Sequence, residues 1–309
     1  MSKINIAYAP DDNYIGLTVV SMVSVLDNNP SCDVEFIILH SGLTKSSLNK
    51  LDWVKSYKKC DIKLKFINRN EFKDYPKVCW VSTSAWFRIK IADLCEDCDK
   101  VLYLDCDTIV RKPLTDLFQT DLGDNYVATV NYKCPSYLKL KSNTYFNSGV
   151  ILINCKKWRN DNVFDKIDKY SRENCTKIKC ADQDVLNIIT DEKKIFLPEE
   201  YNYCEPHFRL KEFKHKNIDP IIVHFTGPNP NRFTCINSYK QEWLEYAIKT
   251  PCYDEFVNQN IFNLITTYKK HQRNLIRYTL LSKFTLGKTK EKYLKKANTT
   301  QIILDNLKY

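Results

Sequence analysis

The chain has 309 residues, 43% of them hydrophobic, and a formal net charge of +10. That length and composition allow a sizeable buried core and exclude a disordered, fibrous or low-complexity chain. No apolar run approaches the ~20 residues of a transmembrane helix, and Met1 to Ala9 enters a strand pattern directly, with no secretory h-region. A cytoplasmic α/β protein of one large domain or two smaller ones is therefore expected.

Thirteen cysteines are an odd number scattered through a core-forming sequence, which points to reduced thiols rather than a disulfide scaffold. Cys95-Glu96-Asp97-Cys98 is a lone CxxC without a second pair at zinc-ribbon spacing, so core-filling thiols are the better reading. The positive charge is uneven. From Ile265 onward eleven Lys or Arg stand against Glu291 and Asp305, so nine of the ten net charges lie there and residues 1–264 carry only one. A nearly neutral body argues against nucleic acid as a partner.

In chain order, Ile4 to Ala9 predicts a strand and Pro10-Asp11-Asp12-Asn13-Tyr14 a polar loop. Leu17 to Leu26 predicts an apolar helix, Val34 to Leu39 a buried strand, and Leu43 to Tyr57 a helix capped by Thr44. Ile62 to Phe66 alternates apolar residues with lysine, as an edge or half-exposed strand would. Ser84 to Leu94 predicts a helix that offers Trp86, Phe87 and Ile91 to the core. Lys100-Val101-Leu102-Tyr103-Leu104 then reads as a strand buried on both faces, ending in Asp105-Cys106-Asp107. Strand and helix alternate as in a parallel, doubly wound sheet.

Further strands are expected at Tyr126 to Val130, after the turn at Asn147-Ser148-Gly149, and at Ile221 to Phe225. Helices are expected at Asp161 to Ser171 and Asp182 to Thr190. Two of only six glycines, Gly149 and Gly227, stand beside polar residues at strand ends, where a side chain is expected to be forbidden. The carboxyl edge of such a sheet is where ligands bind. Asp105 and Asp107 are therefore candidate ligands of a divalent cation, the alternative being a polar turn. From about Pro251, Ile261, Leu264, Ile265, Tyr268 and Leu275 recur at helical spacing, with Lys269, Arg273 and Arg277 on another side. This is either a solvated helix face or a peripheral membrane contact, and the concentration of charge favours the membrane.

Ile6 to Tyr14, Arg88, Asp105-Cys106-Asp107, Asn147-Ser148-Gly149, Asp182-Gln183-Asp184 and His224-Phe225-Thr226-Gly227, in that order, resemble glycosyltransferase family 8 over about residues 4 to 232. The likeness is to its bacterial lipopolysaccharide galactosyl- and glucosyltransferases, with glycogenin more distant. It implies a GT-A type fold with a mixed, mostly parallel central sheet over residues 1–250, followed by a basic helical region over 251–309. It also implies Mn²⁺, with Mg²⁺ as a substitute, and retaining transfer of galactose or glucose from a UDP-sugar to a glycan or glycolipid in surface polysaccharide or lipopolysaccharide synthesis.

Residue by residue, the resemblance implies Asp105, Asp107 and His224 as metal ligands, and Ala9, Asp11, Asn13 and Tyr14 around uridine. Arg88, Asn131, Asn147 and Gly227 would be donor-binding, and Asp182 and Gln183 would face the transferred sugar. Helix capping is the competing role for Asp182, and an Asx turn for the Asp11 loop. The sequence departs from the family twice. Asn131 stands where an aspartate is usual, and Pro230-Asn231-Arg232 replaces Lys-Pro-Trp, leaving Arg232 as a substitute cation. These departures raise an alternative, a catalytically weakened UDP-sugar-binding protein. The Tyr132 to Thr144 segment, with its Lys and Tyr residues, is the candidate lid or acceptor loop.

Overall fold

The computed structural model describes residues 2–76, 78, 82–205 and 218–306. They form two compact units: residues 1–230 with 234–252, and residues 231–233 with 253–309. The first unit opens with β1 (Ser2–Tyr8), α1 (Ile15–Asn28), β2 (Cys32–His40), α2 (Lys45–Tyr57) and β3 (Asp61–Phe66). The short α3 (Ile91–Leu94) precedes β4 (Lys100–Leu104), β5 (Thr108–Val110) and α4 (Thr115–Gln119). Then come β6 (Val127–Tyr132), β7 (Tyr145–Phe146), β8 (Val150–Asn154), α5 (Cys155–Asn160), α6 (Val163–Glu173), α7 (Ala181–Ile189) and β9 (Lys194–Leu197). β10 (Tyr203–Cys204), β11 (Ile222–His224) and α8 (Lys240–Ala247) complete it.

The main sheet has the order β3-β2-β1-β4-β8-β6-β7, with β9 beside β6. β3, β2, β1 and β4 run parallel, β8 runs antiparallel to both β4 and β6, and β9 is parallel to β6. Buried Val, Ile, Leu and aromatic side chains cover both faces, as the apolar runs Ile6 to Tyr8 of β1, Phe36 to Leu39 of β2 and Val101 to Leu104 of β4 require. β3 is the edge, and it is Lys63 and Lys65 that lie half-buried there, while Leu64 and Phe66 are exposed.

A second sheet, β10-β11-β5, was not expected from the sequence. Of its strands only β11 lies where one is expected, within Ile221 to Phe225; β5 and β10, of two or three residues, are too short to show a period. Buried hydroxyls join it to α1: Ser24 Oγ accepts from the Val110 amide, and Ser21 Oγ lies 3.0 Å from Thr108 Oγ1. The expected helix at Ser84 to Leu94 is a tighter 3₁₀ turn over Thr83–Lys90 that passes into α3, yet Trp86, Phe87 and Ile91 are buried as anticipated. The helix expected from Asp161 begins instead at Val163, because Asn162 takes a left-handed conformation (φ 50°) that breaks it from α5. Thr44 does cap α2, accepting from the Ser47 amide. It also donates to Asp12 at 2.8 Å, which ties α2 to the loop after β1. The twelve described cysteines are free thiols, and Cys95 and Cys98 belong to the main apolar cluster.

The second unit contains α9 (Tyr253–Lys283) and α10 (Gly287–Asn306), in which Tyr278 and Tyr293 stack. Among the described residues no helix is long and apolar enough to cross a membrane.

Candidate functional site

The carboxyl ends of β1 and β4, the start of β8 and the first turn of α7 surround a cleft of about 270 Å³. Of the expected residues, Ala9, Tyr14, Arg88, Asp105, Asp107, Asp182 and Gln183 line it, joined by Ser82, Ala85, Tyr103, Cys106, Ser148 and Cys180.

Backbone pairing brings the two acids and the histidine together. β11 runs antiparallel to β5, so His224 lies opposite Thr108, and the Phe225 amide donates to the Asp107 carbonyl at 2.9 Å. One ligand atom each from Asp105, Asp107 and His224 lies within 4.8 Å of the others. His224 Nε2 is 3.6 Å from Asp105 Oδ2 and 3.3 Å from Asp107 Oδ1. Its Nδ1 faces Asn202 Oδ1 at 3.1 Å. Asn202 Nδ2 in turn donates to Asn147 Oδ1, which also accepts the Gly149 amide. This chain turns Nε2 toward the carboxylates, as the outer partners of a ligating imidazole do. Gly149 is obligatory here. A Cβ would lie 2.2 Å from the His224 ring and 2.6 Å from Asp105 Oδ2.

Burial alone would lower the His224 pKa, but the Asp107 carboxylate and Cys204 raise it well above the ordinary imidazole value. Asp105 shows the opposite balance. Burial raises its carboxyl, while Arg88, His224 and the Tyr103 hydroxyl together hold it below the usual value. Arg88, only 4% exposed, is the hub. It donates to Asp105 Oδ1 at 2.9 Å and Ser148 Oγ at 3.1 Å, pairs with Asp182 Oδ2 at 3.1 Å, and lies over the Tyr103 ring.

Asp182 does not cap α7; its carboxylate accepts from Ser148 Oγ and pairs with Arg88. Burial lifts its pKa to about 6; Arg88 opposes this rise and the Asp105 charge adds to it. Gln183 Oε1 accepts the Ser148 amide at 3.1 Å, and its Nε2 donates to the Tyr145 hydroxyl at 2.9 Å.

Other expected residues stand outside the cleft lining. Asp11 Oδ1 accepts the Asn13 and Tyr14 amides, so the Asx turn is real, and Asn13 is exposed. Asn131 is exposed on β6, and Asn147 acts through Asn202 and Gly149. Gly227 has φ +113°, a conformation that favours glycine. Arg232 belongs to the second unit. Sequence reasoning missed Asn202, Cys204 and Tyr145, which carry no motif. Ser148 lay inside a motif already singled out, and Arg88 gains its meaning only with it.

This architecture, with its cleft at the carboxyl edge, is that of a GT-A type glycosyltransferase. Residues 5–229 match glycosyl transferase family 8, and the chain belongs to that family. It is 24% identical to the lipopolysaccharide 1,2-glucosyltransferase of Escherichia coli K12, over 92% of this chain and 89% of that one. To the lipopolysaccharide 1,3-galactosyltransferase of Salmonella typhimurium it is 29% identical, over 73% and 72%. The crystal structure of the galactosyltransferase LgtC with donor and acceptor sugar analogues superimposes with a TM-score of 0.72 at 26% identity, covering 80% of this chain and 96% of that one.

Two outcomes follow from the geometry. Gly149→Ala should cost about 1–3 kcal/mol in urea unfolding through overpacking. It should also bring the His224 titration, followed by NMR, down toward the ordinary imidazole range. Asp182 has a folded pKa near 6 against an ordinary 3.8, so the folded state holds the extra proton between those values. Its contribution to stability therefore falls as pH rises through that window, by about 3 kcal/mol. The lowered Asp105 acts below the window and the raised His224 above it. Asp182→Asn should gain on the wild type by about that amount between pH 4 and pH 7; parallel unfolding profiles would contradict the assignment.

Proposed function

We propose that this glycosyltransferase moves galactose or glucose, with retention, from a UDP-sugar to a glycan or glycolipid acceptor, in the synthesis of cell-surface polysaccharide or lipopolysaccharide. The observation that carries the reading is the meeting of Asp105, Asp107 and His224, whose two carboxylates line the cleft that also holds Arg88, Asp182 and Gln183. Two carboxylates and an imidazole with its Nε2 turned inward suit Mn²⁺, with Mg²⁺ as a substitute. When bound, such a cation supplies Lewis-acid neutralisation of the diphosphate leaving group.

The chain's own residues do the rest. Tyr14 and Ala9 form the wall for uracil, with Asp11 and Asn13 at its polar edge. Asp182 and Gln183 offer groups to the hexose hydroxyls, Asn131 and Asn147 are donor-binding amides beyond the cleft lining, and Arg88 keeps the Asp105 carboxylate ionised and aimed. A double displacement needs a free carboxylate beneath the sugar ring. Asp182 is engaged by Arg88 and Ser148, and Gln183 is neutral and bonded at both ends. That supports attack by the acceptor hydroxyl on the face the diphosphate leaves. The acceptor oxygen bonds to the anomeric carbon, the bond to the phosphate oxygen breaks, and the acceptor proton passes to that oxygen. The Tyr132 to Thr144 segment between β6 and β7 is the acceptor loop.

A second reading, a UDP-sugar-binding protein with weakened turnover, rests on Asn131 and on Pro230-Asn231-Arg232. One experiment separates the two. UDP release from UDP-glucose and UDP-galactose is followed with Mn²⁺ over a pool of lipid-linked and free glycans. Turnover is expected with one donor. Asp107→Asn, which leaves the Arg88–Asp105 pair intact, should lower kcat by about 100-fold or more. A thermal shift without turnover favours the second reading, and unchanged turnover in the variant overturns the metal assignment.

We further propose a cytoplasmic enzyme that touches the inner face of an anionic membrane. Exposed Ile261, Phe262 and Ile265 and basic Lys269, Lys270 and Arg273 on α9 support this, as does the net charge of the last forty-five residues. The protein should sediment with vesicles containing anionic lipid at low salt and be released at high salt; equal sedimentation with neutral vesicles would count against it.

A further inference from the structure

One buried group near the cleft is left unexplained by the proposed chemistry. Asp184 is completely buried on the first turns of α7. Its Oδ2 accepts the amides of Lys179 and Cys180, both at 2.9 Å, its Oδ1 accepts the Tyr145 hydroxyl at 2.7 Å, and Tyr137 adds a further hydroxyl at 3.1 Å. A carboxylate so surrounded has no surface to offer a substrate. It fixes the turn that enters α7, where Ala181 is held left-handed at φ 43°, a conformation that a residue with a Cβ keeps only when its surroundings impose it. The next two residues are Asp182 and Gln183.

We propose that Tyr145, oriented by Asp184, is the positioning residue that sets which end of the Gln183 amide faces which way in the donor cleft. The inference rests on reading that cleft as the donor site. A tyrosine hydroxyl has one proton, and Tyr145 gives it to Asp184 Oδ1. The Tyr145 oxygen is left as an acceptor, and Gln183 meets it with Nε2. At the other end the Ser148 amide, a fixed donor, requires Oε1. The two ends of a glutamine amide are alike in shape but opposite in hydrogen bonding, and here both are dictated. One N–H and one lone pair remain, in a set order, for the sugar. Tyr145 is almost fully buried and makes no contribution to the cleft lining, so it acts through Gln183 rather than on the substrate.

The test is a double-mutant cycle read in kcat and KM for the UDP-hexose. Tyr145→Phe keeps the ring and removes the hydroxyl. It should lower kcat by about tenfold or more while KM stays within about threefold. In a Gln183→Ala background the same change should alter kcat by less than about twofold, since the residue it acts through is gone. Equal losses in both backgrounds overturn the proposal.

A readout without turnover accompanies the cycle. In protein labelled with ¹⁵N-glutamine, the Gln183 side-chain amide is assigned by its loss in Gln183→Ala. Its two protons should be well separated in the wild type and move in Tyr145→Phe; no movement overturns the positioning role even if every UDP-sugar proves inert. If Tyr145→Phe does not fold, Asp184→Asn serves instead. The backbone amides of Lys179 and Cys180 hold its oxygen, so its NH₂ faces Tyr145, reverses the hydroxyl proton and should displace the same Gln183 signals.

Discussion

Arg88 lies buried between two carboxylates that come from different elements, Asp105 at the end of β4 and Asp182 in the first turn of α7. Without a cation there, two acids in so dry a place would repel, and one would take up a proton. The guanidinium lets both elements bring an acid to the same cleft. Its further bonds to Ser148 bring in the turn before β8 as well. Removing one partner of such a buried cluster is far more damaging than never having built it, because a desolvated charge is left behind. The helix end, the strand end and the turn are therefore one electrostatic unit.

Around this unit the backbone does the finer placement. Asp105 is fixed by its amide to the Gly149 carbonyl, and His224 by the pairing of β11 with β5. The chain through Asn202 and Asn147 returns to Gly149, so one residue without a side chain is met from two directions. The β5 sheet is in turn fastened to α1 by Ser21 and Ser24, buried hydroxyls on a mostly apolar helix. A helix far along the sequence from His224 thus helps decide where the imidazole sits.

Much of this was legible in the sequence because the chemistry stands next to strong periodic signals. Asp105, Asp107, Ser148 and His224 each adjoin an apolar run, and a run that ends in a polar residue marks a sheet edge. The main strands were legible for the same reason. The β5 and β10 strands were not, since two or three residues carry no period, whereas β11 falls within the apolar run expected as a strand at Ile221 to Phe225. Asn202 and Tyr145 were not legible either, because their meaning comes from partners distant in the chain. The 3₁₀ turn at Thr83–Lys90 was read as an ordinary helix, since eight residues do not separate a period of 3.0 from one of 3.6. Asp11 could be read two ways from its neighbours, and the turn it makes is a fact of local backbone alone.

The outer strand β3 carries a consequence for the behaviour of the protein in a crowded solution. Among the described residues no strand pairs with its outer side, which is therefore an open template for another chain. Opposite the buried Ile37 and Leu39 stand Lys63 and Lys65, and Lys63 is drawn in by Glu35 and Asp97. Charged groups turned inward on a border strand make a continuous ribbon across two copies costly, since the incoming strand would have to strip water from ammonium groups. The alternation of lysine with apolar residues therefore acts as a guard against self-templated aggregation, stationed at the side of the sheet away from the chemistry.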